Sequence, residues 1–113
     1  MKLVVLTALL AASSLVQATE CEKLAQFADE TGGQIIPRAT FKVTGEGRLY
    51  FHSAPSNECR AKEFVIPKDE VVAYQEFRTW TYVMYLHPKT GQDTSGWVQT
   101  SRLTYAGTAS AIP

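Results

Sequence analysis

Residues 80–103, WTYVMYLHPKTGQDTSGWVQTSRL, constrain the fold of this chain more than any other stretch. Trp80 opens an aromatic and β-branched run, the polar segment PKTGQDTSG interrupts it, and Trp97-Val98 resumes it. That order predicts two strands joined by a polar turn. Alternation along residues 80–87 puts Thr81, Val83, Tyr85 and His87 on one face and Trp80, Tyr82, Met84 and Leu86 on the other. Both faces are largely apolar or aromatic, as expected of a central strand in a small barrel, with core on one side and a loop over the other.

The N-terminus points to a compartment. Lys2, the apolar run LVVLTALLAA and the small-residue end at Val16-Gln17-Ala18 read as a secretory signal peptide over residues 1–18. No run approaches the roughly 20 apolar residues of a spanning helix, so membrane insertion is not expected. Cys21 follows the cut closely enough to suggest a lipid anchor, but Glu20 directly before it is a poor lipidation signal. The mature chain of about 95 residues suffices for one small domain with one core, expected to be a periplasmic or secreted monomer. Eleven basic and eleven acidic residues become ten against eleven once Lys2 is removed. With no basic stripe for a phosphate backbone, nucleic acid is not an expected partner.

In an oxidising compartment the two cysteines, Cys21 and Cys59, are expected to pair. Closing a loop of nearly forty residues would stabilise by roughly 3–4 kcal/mol in the chain-entropy description. A reactive thiol pair would favour CxxC spacing, which the chain lacks. Thr19 and Glu22 fit a capping box, and Cys21, Leu24, Ala25 and Ala28 recur at helical spacing until Gly32-Gly33. A short helix over about residues 20–31 is therefore expected, within a stapled segment 19–33. Alone it would be too short to be stable, and the disulfide would pin it to the domain that follows. A partner-binding amphipathic helix is the functional alternative.

From Gln34 onward the period is that of strands. Ile35-Ile36 and ATFKV (39–43) are short segments broken by Pro37, TGEG (44–47) is a tight turn, and LYFH (49–52) is another strand. SNECRAKE (56–63) has the composition of a surface loop. FVI (64–66) resumes strand character, PKDE (67–70) reads as a turn, VVAY (71–74) follows, and residues 75–78 lead into the hairpin. Thr104-Tyr105 adds a last strand turn, and residues 106–113 look like a frayed tail. The whole predicts a mostly β fold, a small barrel over residues 34–105 with a short N-terminal α-helix.

Residues 48–103 resemble a bacterial Src-homology-3-like domain, the export-associated relative of the eukaryotic signalling domain. LYFHSAP (49–55), FVIPKDEV (64–71), and Trp80-Thr81-Tyr82-Val83 followed by Gly96-Trp97-Val98 and Leu103 carry the resemblance. It covers about half of the chain and implies a Src-homology-3-like barrel. Two features depart from the family's pattern. Asp69 stands where the tight turn often has glycine, though aspartate also tolerates the left-handed conformation, and the helix and cysteine pair precede the pattern. The chain is also similar to small periplasmic proteins and carboxy-terminal domains found alongside lysozyme-inhibitor-type modules.

Catalytic constellations are not evident. His52 and His87 lie on different strands without HxH or HxxxH spacing, and a metal would need a further ligand from the paired cysteines. His52 and Ser53 are neighbours that point to opposite faces of a strand. No cofactor or metal is expected, and the acidic residues are scattered as on a solvated face. Aromatic surface remains. In the eukaryotic relative, aromatics between loops form a peptide groove; the resemblance implies a comparable one lined by Tyr50, His52, Trp80 and Trp97. Trp97 and Val83 also read as packing, and Trp80 equally as packing or groove wall. The expected function is a non-enzymatic exported binding module recognising a peptide, protein or peptidoglycan in the bacterial envelope. The alternative is a periplasmic inhibitor or immunity protein against a cell-wall-degrading enzyme, its contact made by Asn57, Glu58 and Arg60.

Overall fold

The computed structural model describes the backbone of residues 2–108 and the side chains of residues 16–108. Helix α1, Lys2–Thr31, is followed by β1 (Gly33–Val43), β2 (Leu49–His52), a 3-10 turn at Asn57–Cys59, β3 (Arg60–Val65), β4 (Glu70–Phe77), β5 (Trp80–Leu86), β6 (Asp93–Gln99), a second 3-10 turn at Thr100–Arg102 and β7 (Leu103–Thr108). No helix among the described residues is long and apolar enough to cross a membrane.

The seven strands form one antiparallel sheet in the order β3-β2-β6-β5-β4-β1-β7. Its edges, β3 and β7, do not pair, so the expected barrel is not closed. Strand spacing predicts how many strands there are, but closure depends on whether the two edges meet, which no local period encodes. Exposed Arg60, Lys62 and Glu63 along β3 are the charged side chains that protect an open edge.

Two apolar clusters lie on opposite faces of the sheet. The first gathers Val43, Leu49, Phe51, Val65, Val71, Ala73, Val83 and Val98 from six strands, so the sheet curls around it. The second contains Phe77, Trp80, Trp97 and Ala28, with Leu24 and Tyr82 packed against it. The alternation in β5 therefore holds: Thr81 and Val83 are buried on the inner face, Trp80 on the outer. What covers the outer face is α1, where a loop was expected.

Cys21, Leu24, Ala25 and Ala28 are the residues of residues 20–31 that turn inward, as their spacing predicts. The Cys21–Cys59 disulfide is formed, with Cα atoms 5.8 Å apart. At the other end of the contact, Gln75 reaches out of β4 and its Nε2 donates to the carbonyl oxygens of Ala28, Asp29 and Gly32 at 3.2, 2.9 and 3.4 Å. Asp29 is among the last-turn carbonyls that a helix leaves without an internal partner, whereas the Ala28 carbonyl also accepts from the Gly32 amide at 2.8 Å. The helix starts much earlier than expected. Thr19 lies inside it and not at its start, because the Leu- and Ala-rich residues before it continue the helical propensity without a break.

Other boundaries also move. Pro37 does not divide β1; it sits after a cis bond where the pairing register with β4 shifts. Residues 60–63, expected in a loop, belong to β3, and residues 75–77 belong to β4, whose hairpin to β5 turns on Arg78 at φ 56°. Residues 93–96 are strand, not turn. Strand β7 runs through Thr108, into the expected tail, of which residues 109–113 lie outside the described residues. In the turn after Ile66, Lys68 adopts the left-handed conformation, φ 83°. Asp69 instead fastens the turn, its Oδ2 accepting from the Ile66 amide at 2.9 Å.

Candidate functional site

Residues 48–52 alternate cleanly between faces. Leu49 and Phe51 enter the inner core, which turns Arg48, Tyr50 and His52 to the outer face. Cross-strand pairing sets Tyr50 beside Phe64 and His52 beside Arg60 on β3, and His52 beside Trp97 on β6. β2 and β6 approach closely because Gly96 has no side chain: a Cβ there would stand 3.0 Å from both the His52 carbonyl oxygen and the Phe51 Cβ. The Gly96-Trp97-Val98 sequence thus lets β2 cross close to β6, sends Trp97 outward under the helix and sends Val98 inward to the core.

These pairings build a cleft of about 490 Å³ between β2, the Asn57–Cys59 turn and the Thr100–Arg102 turn. Tyr50, His52, Asn57, Arg60, Gln99 and Arg102 line it, with Arg48 and Ser101 at its borders. The floor and walls are tied together. The Gln99 amide donates to Asn57 Oδ1 at 3.1 Å. Arg102 reaches back to the β1–β2 turn, with Nε donating to the Thr44 carbonyl at 2.6 Å and Nη2 to that of Gly47 at 2.7 Å.

Cations and rings alternate beside the cleft. The Arg60 guanidinium lies 4.3 Å from the Tyr50 ring centroid, Tyr50 meets Phe64 at 5.6 Å, and Arg48 lies 4.3 Å over Phe64. Stacking engages the flat faces of the guanidiniums and leaves their N–H edges to other partners. Among the described residues no carboxylate forms an ion pair with Arg48, Arg60 or Arg102, and no Asp or Glu lines the cleft.

The residues singled out in the sequence have distinct fates. His52, Trp80 and Trp97 are buried, and Tyr50 is half-buried. Trp80 and Trp97 thus pack beneath α1, and the cleft does not include them. His52 joins the two regions. Its Nδ1 lies 3.1 Å from the Trp97 carbonyl oxygen, and because a carbonyl only accepts, Nδ1 carries the proton. Burial holds the His52 pKa below its ordinary value, against the hydrogen-bonding effect of the Trp97 and Tyr50 backbones, and the Arg60 charge acts in the same direction as burial. From the second set, Asn57 and Arg60 line the cleft. Glu58 lies in a separate cavity of about 660 Å³ between α1 and the disulfide, bordered by Gln17, Glu22 and Arg60. Two residues of each candidate set, Tyr50 and His52 with Asn57 and Arg60, therefore share one cleft. Arg48 and Arg102 were missed; the signal for Arg48 was the alternation Arg48, Tyr50, His52 along one strand face.

His87, at the β5–β6 turn, accepts from the Lys89 and Thr90 amides at 3.2 and 3.4 Å, a local turn role. Among the described residues no cluster of three or more His, Cys, Asp or Glu is placed to hold a metal ion. No family model, curated protein or solved structure matches the chain.

Proposed function

We propose that this chain is a non-enzymatic, exported binding module, periplasmic or secreted, that recognises a peptide, a protein or peptidoglycan in the bacterial envelope. One observation carries the reading: Tyr50, His52, Asn57 and Arg60, drawn from both candidate sets, line a single open cleft. The cleft sits on ordered strands and is braced by the Gln99–Asn57 and Arg102 hydrogen bonds, and such preorganisation favours binding. The disulfide suits an oxidising compartment. The relation to bacterial Src-homology-3-like domains belongs to this proposal, supported by the close β2–β6 crossing at Gly96 and the inward and outward pointing of Val98 and Trp97.

The test is co-sedimentation of the disulfide-bonded protein with purified peptidoglycan sacculi, alongside pull-down from envelope extract. Retention by either supports the reading, and loss of both overturns it. The second reading, inhibition of a cell-wall-degrading enzyme, is favoured by the exposed Asn57 and Glu58 on a turn stapled to α1. A turbidity assay of lysozyme or amidase action decides it: an inhibitor slows clearing, and Glu58→Ala relieves the effect.

A further inference from the structure

The cleft has a definite chemistry. Three arginines line it, two of them with guanidiniums stacked on aromatic rings, and no Asp or Glu is among its lining residues. A concentration of fixed positive charge with no internal counter-charge is costly unless water or a ligand supplies the anion. Arg102 is held in place by the Thr44 and Gly47 carbonyls. These bonds use its Nε–H and one Nη2 hydrogen, leaving the remaining N–H groups of its fork. Arg48 and Arg60 are similarly braced by Phe64 and Tyr50, so little side-chain freedom is lost when their N–H edges meet an oxyanion. Beside them, the Asn57 and Gln99 amides supply further donors to a polar chain.

We propose that this cleft binds an acidic peptide, with the ligand's carboxylates received among Arg60, Arg48 and Arg102 and the flanking peptide against Tyr50, Asn57 and Gln99. The inference rests on the binding-module reading and names its ligand class. A peptide is favoured over a phosphorylated polymer by the surroundings of the charges. The side-chain amides of Asn57 and Gln99 and the half-buried Tyr50 match amide groups and short side chains.

The experiment is an NMR titration of the uniformly 15N-labelled, disulfide-bonded protein with the blocked peptide acetyl-Glu-Ala-Glu-amide, its Gln-Ala-Gln counterpart and inorganic phosphate. The glutamate peptide should shift the Nε–H signals of Arg48, Arg60 and Arg102 and the side-chain amides of Asn57 and Gln99. The glutamine peptide should bind at least about tenfold more weakly, and the glutamate affinity should fall as salt rises. Arg48→Gln and Arg60→Gln, combined in one variant, should lower glutamate-peptide affinity about tenfold or more while keeping the dispersed spectrum of the folded protein. Arg102 is left intact because it braces the β1–β2 turn. Equal binding of the two peptides, shifts confined to residues outside the cleft, or tighter binding of phosphate than of the glutamate peptide would each overturn the proposal. The sacculus and envelope assays separate the two readings. If retention there survives in the double variant and the titration is silent, the module stands without this ligand. If the titration succeeds and retention fails, the cleft chemistry stands and the envelope reading falls.

Discussion

The imidazole of His52 stands edge-on to the indole of Trp80, ring centroids 4.8 Å apart and planes at 71°, while its Nδ1–H donates to the Trp97 carbonyl. One side chain thus joins the arginine-bordered cleft to the aromatic cluster beneath α1. The tryptophans of the two hairpin strands lie beneath the cleft. Trp97 packs against Phe77 and Tyr82, at 6.4 and 5.4 Å between centroids, and Ala28 of the helix closes the cluster. Helix, disulfide and cleft floor form one connected unit.

Stability should therefore depend on pH through His52. Burial lowers its folded pKa below the ordinary value of 6.5, so the unfolded chain binds the proton more readily. The stabilisation is complete above the unfolded value and is lost as pH falls through the folded one. Thermal unfolding of the wild type should decline from pH 7 towards about pH 5 more steeply than that of His52→Asn, which keeps an N–H near the Trp97 carbonyl but does not titrate. Parallel melting profiles for the two proteins would refute the assignment.

Removing the staple should loosen the cluster as well as the chain. The Cys21→Ser, Cys59→Ser double variant should lose about 3–4 kcal/mol in denaturant unfolding, the loop-closure value for this separation of 38 residues. Because α1 covers Trp80 and Trp97, tryptophan emission should shift to longer wavelength before the sheet melts. Unchanged emission in the double variant would mean that helix packing does not need the disulfide.

Much of this arrangement is legible in the residues. The cysteine pair, the inward face Cys21, Leu24, Ala25 and Ala28, the opposite faces of β5, and the strands opened by Leu49 and Trp80 follow from composition and period. The rest depends on relationships that periodicity does not carry. Arg48, Arg60 and Arg102 come to one cleft through the β2–β3 pairing, the β2–β6 pairing and the bonds from Arg102 to the Thr44 and Gly47 carbonyls. The helix cover over Trp80 and the unpaired sheet edges are likewise set by how distant segments meet. The aromatic side chains of the hairpin are easy to notice, yet the cleft's chemistry comes mostly from its arginines.

The turn after Ile66 offers a stabilising change. Pro67 precedes Lys68, whose φ of 83° places a Cβ in the left-handed region, at about 1–2 kcal/mol for an ordinary residue. The turn is otherwise well bonded, with the Asp69 amide donating to the Ile66 carbonyl at 3.0 Å and the Lys68 amide to that of Val43 at 2.8 Å. Lys68→Gly should keep these bonds and raise unfolding stability by about 0.5–1 kcal/mol, the net of relieved strain and the glycine's greater unfolded-state freedom. A destabilised Lys68→Gly protein would show that the lysine side chain itself matters.

Gln75 is the converse case, a buried polar residue whose loss should be costly. It is only 4% exposed, and its single amide nitrogen serves three carbonyls at the end of α1. Gln75→Leu fills similar space but strands acceptors away from water, so a loss of about 1–3 kcal/mol is expected. Gln75→Glu should be worse at neutral pH, because a carboxylate replaces the donor and faces the negative end of the helix. The adjoining Gly32 limits any compensating shift, since a Cβ there would stand 2.7 Å from the carbonyl oxygens of both Ala28 and Glu76. Denaturant midpoints for the two Gln75 variants decide the matter: if both stay within about 0.5 kcal/mol of wild type, the helix end does not depend on this residue.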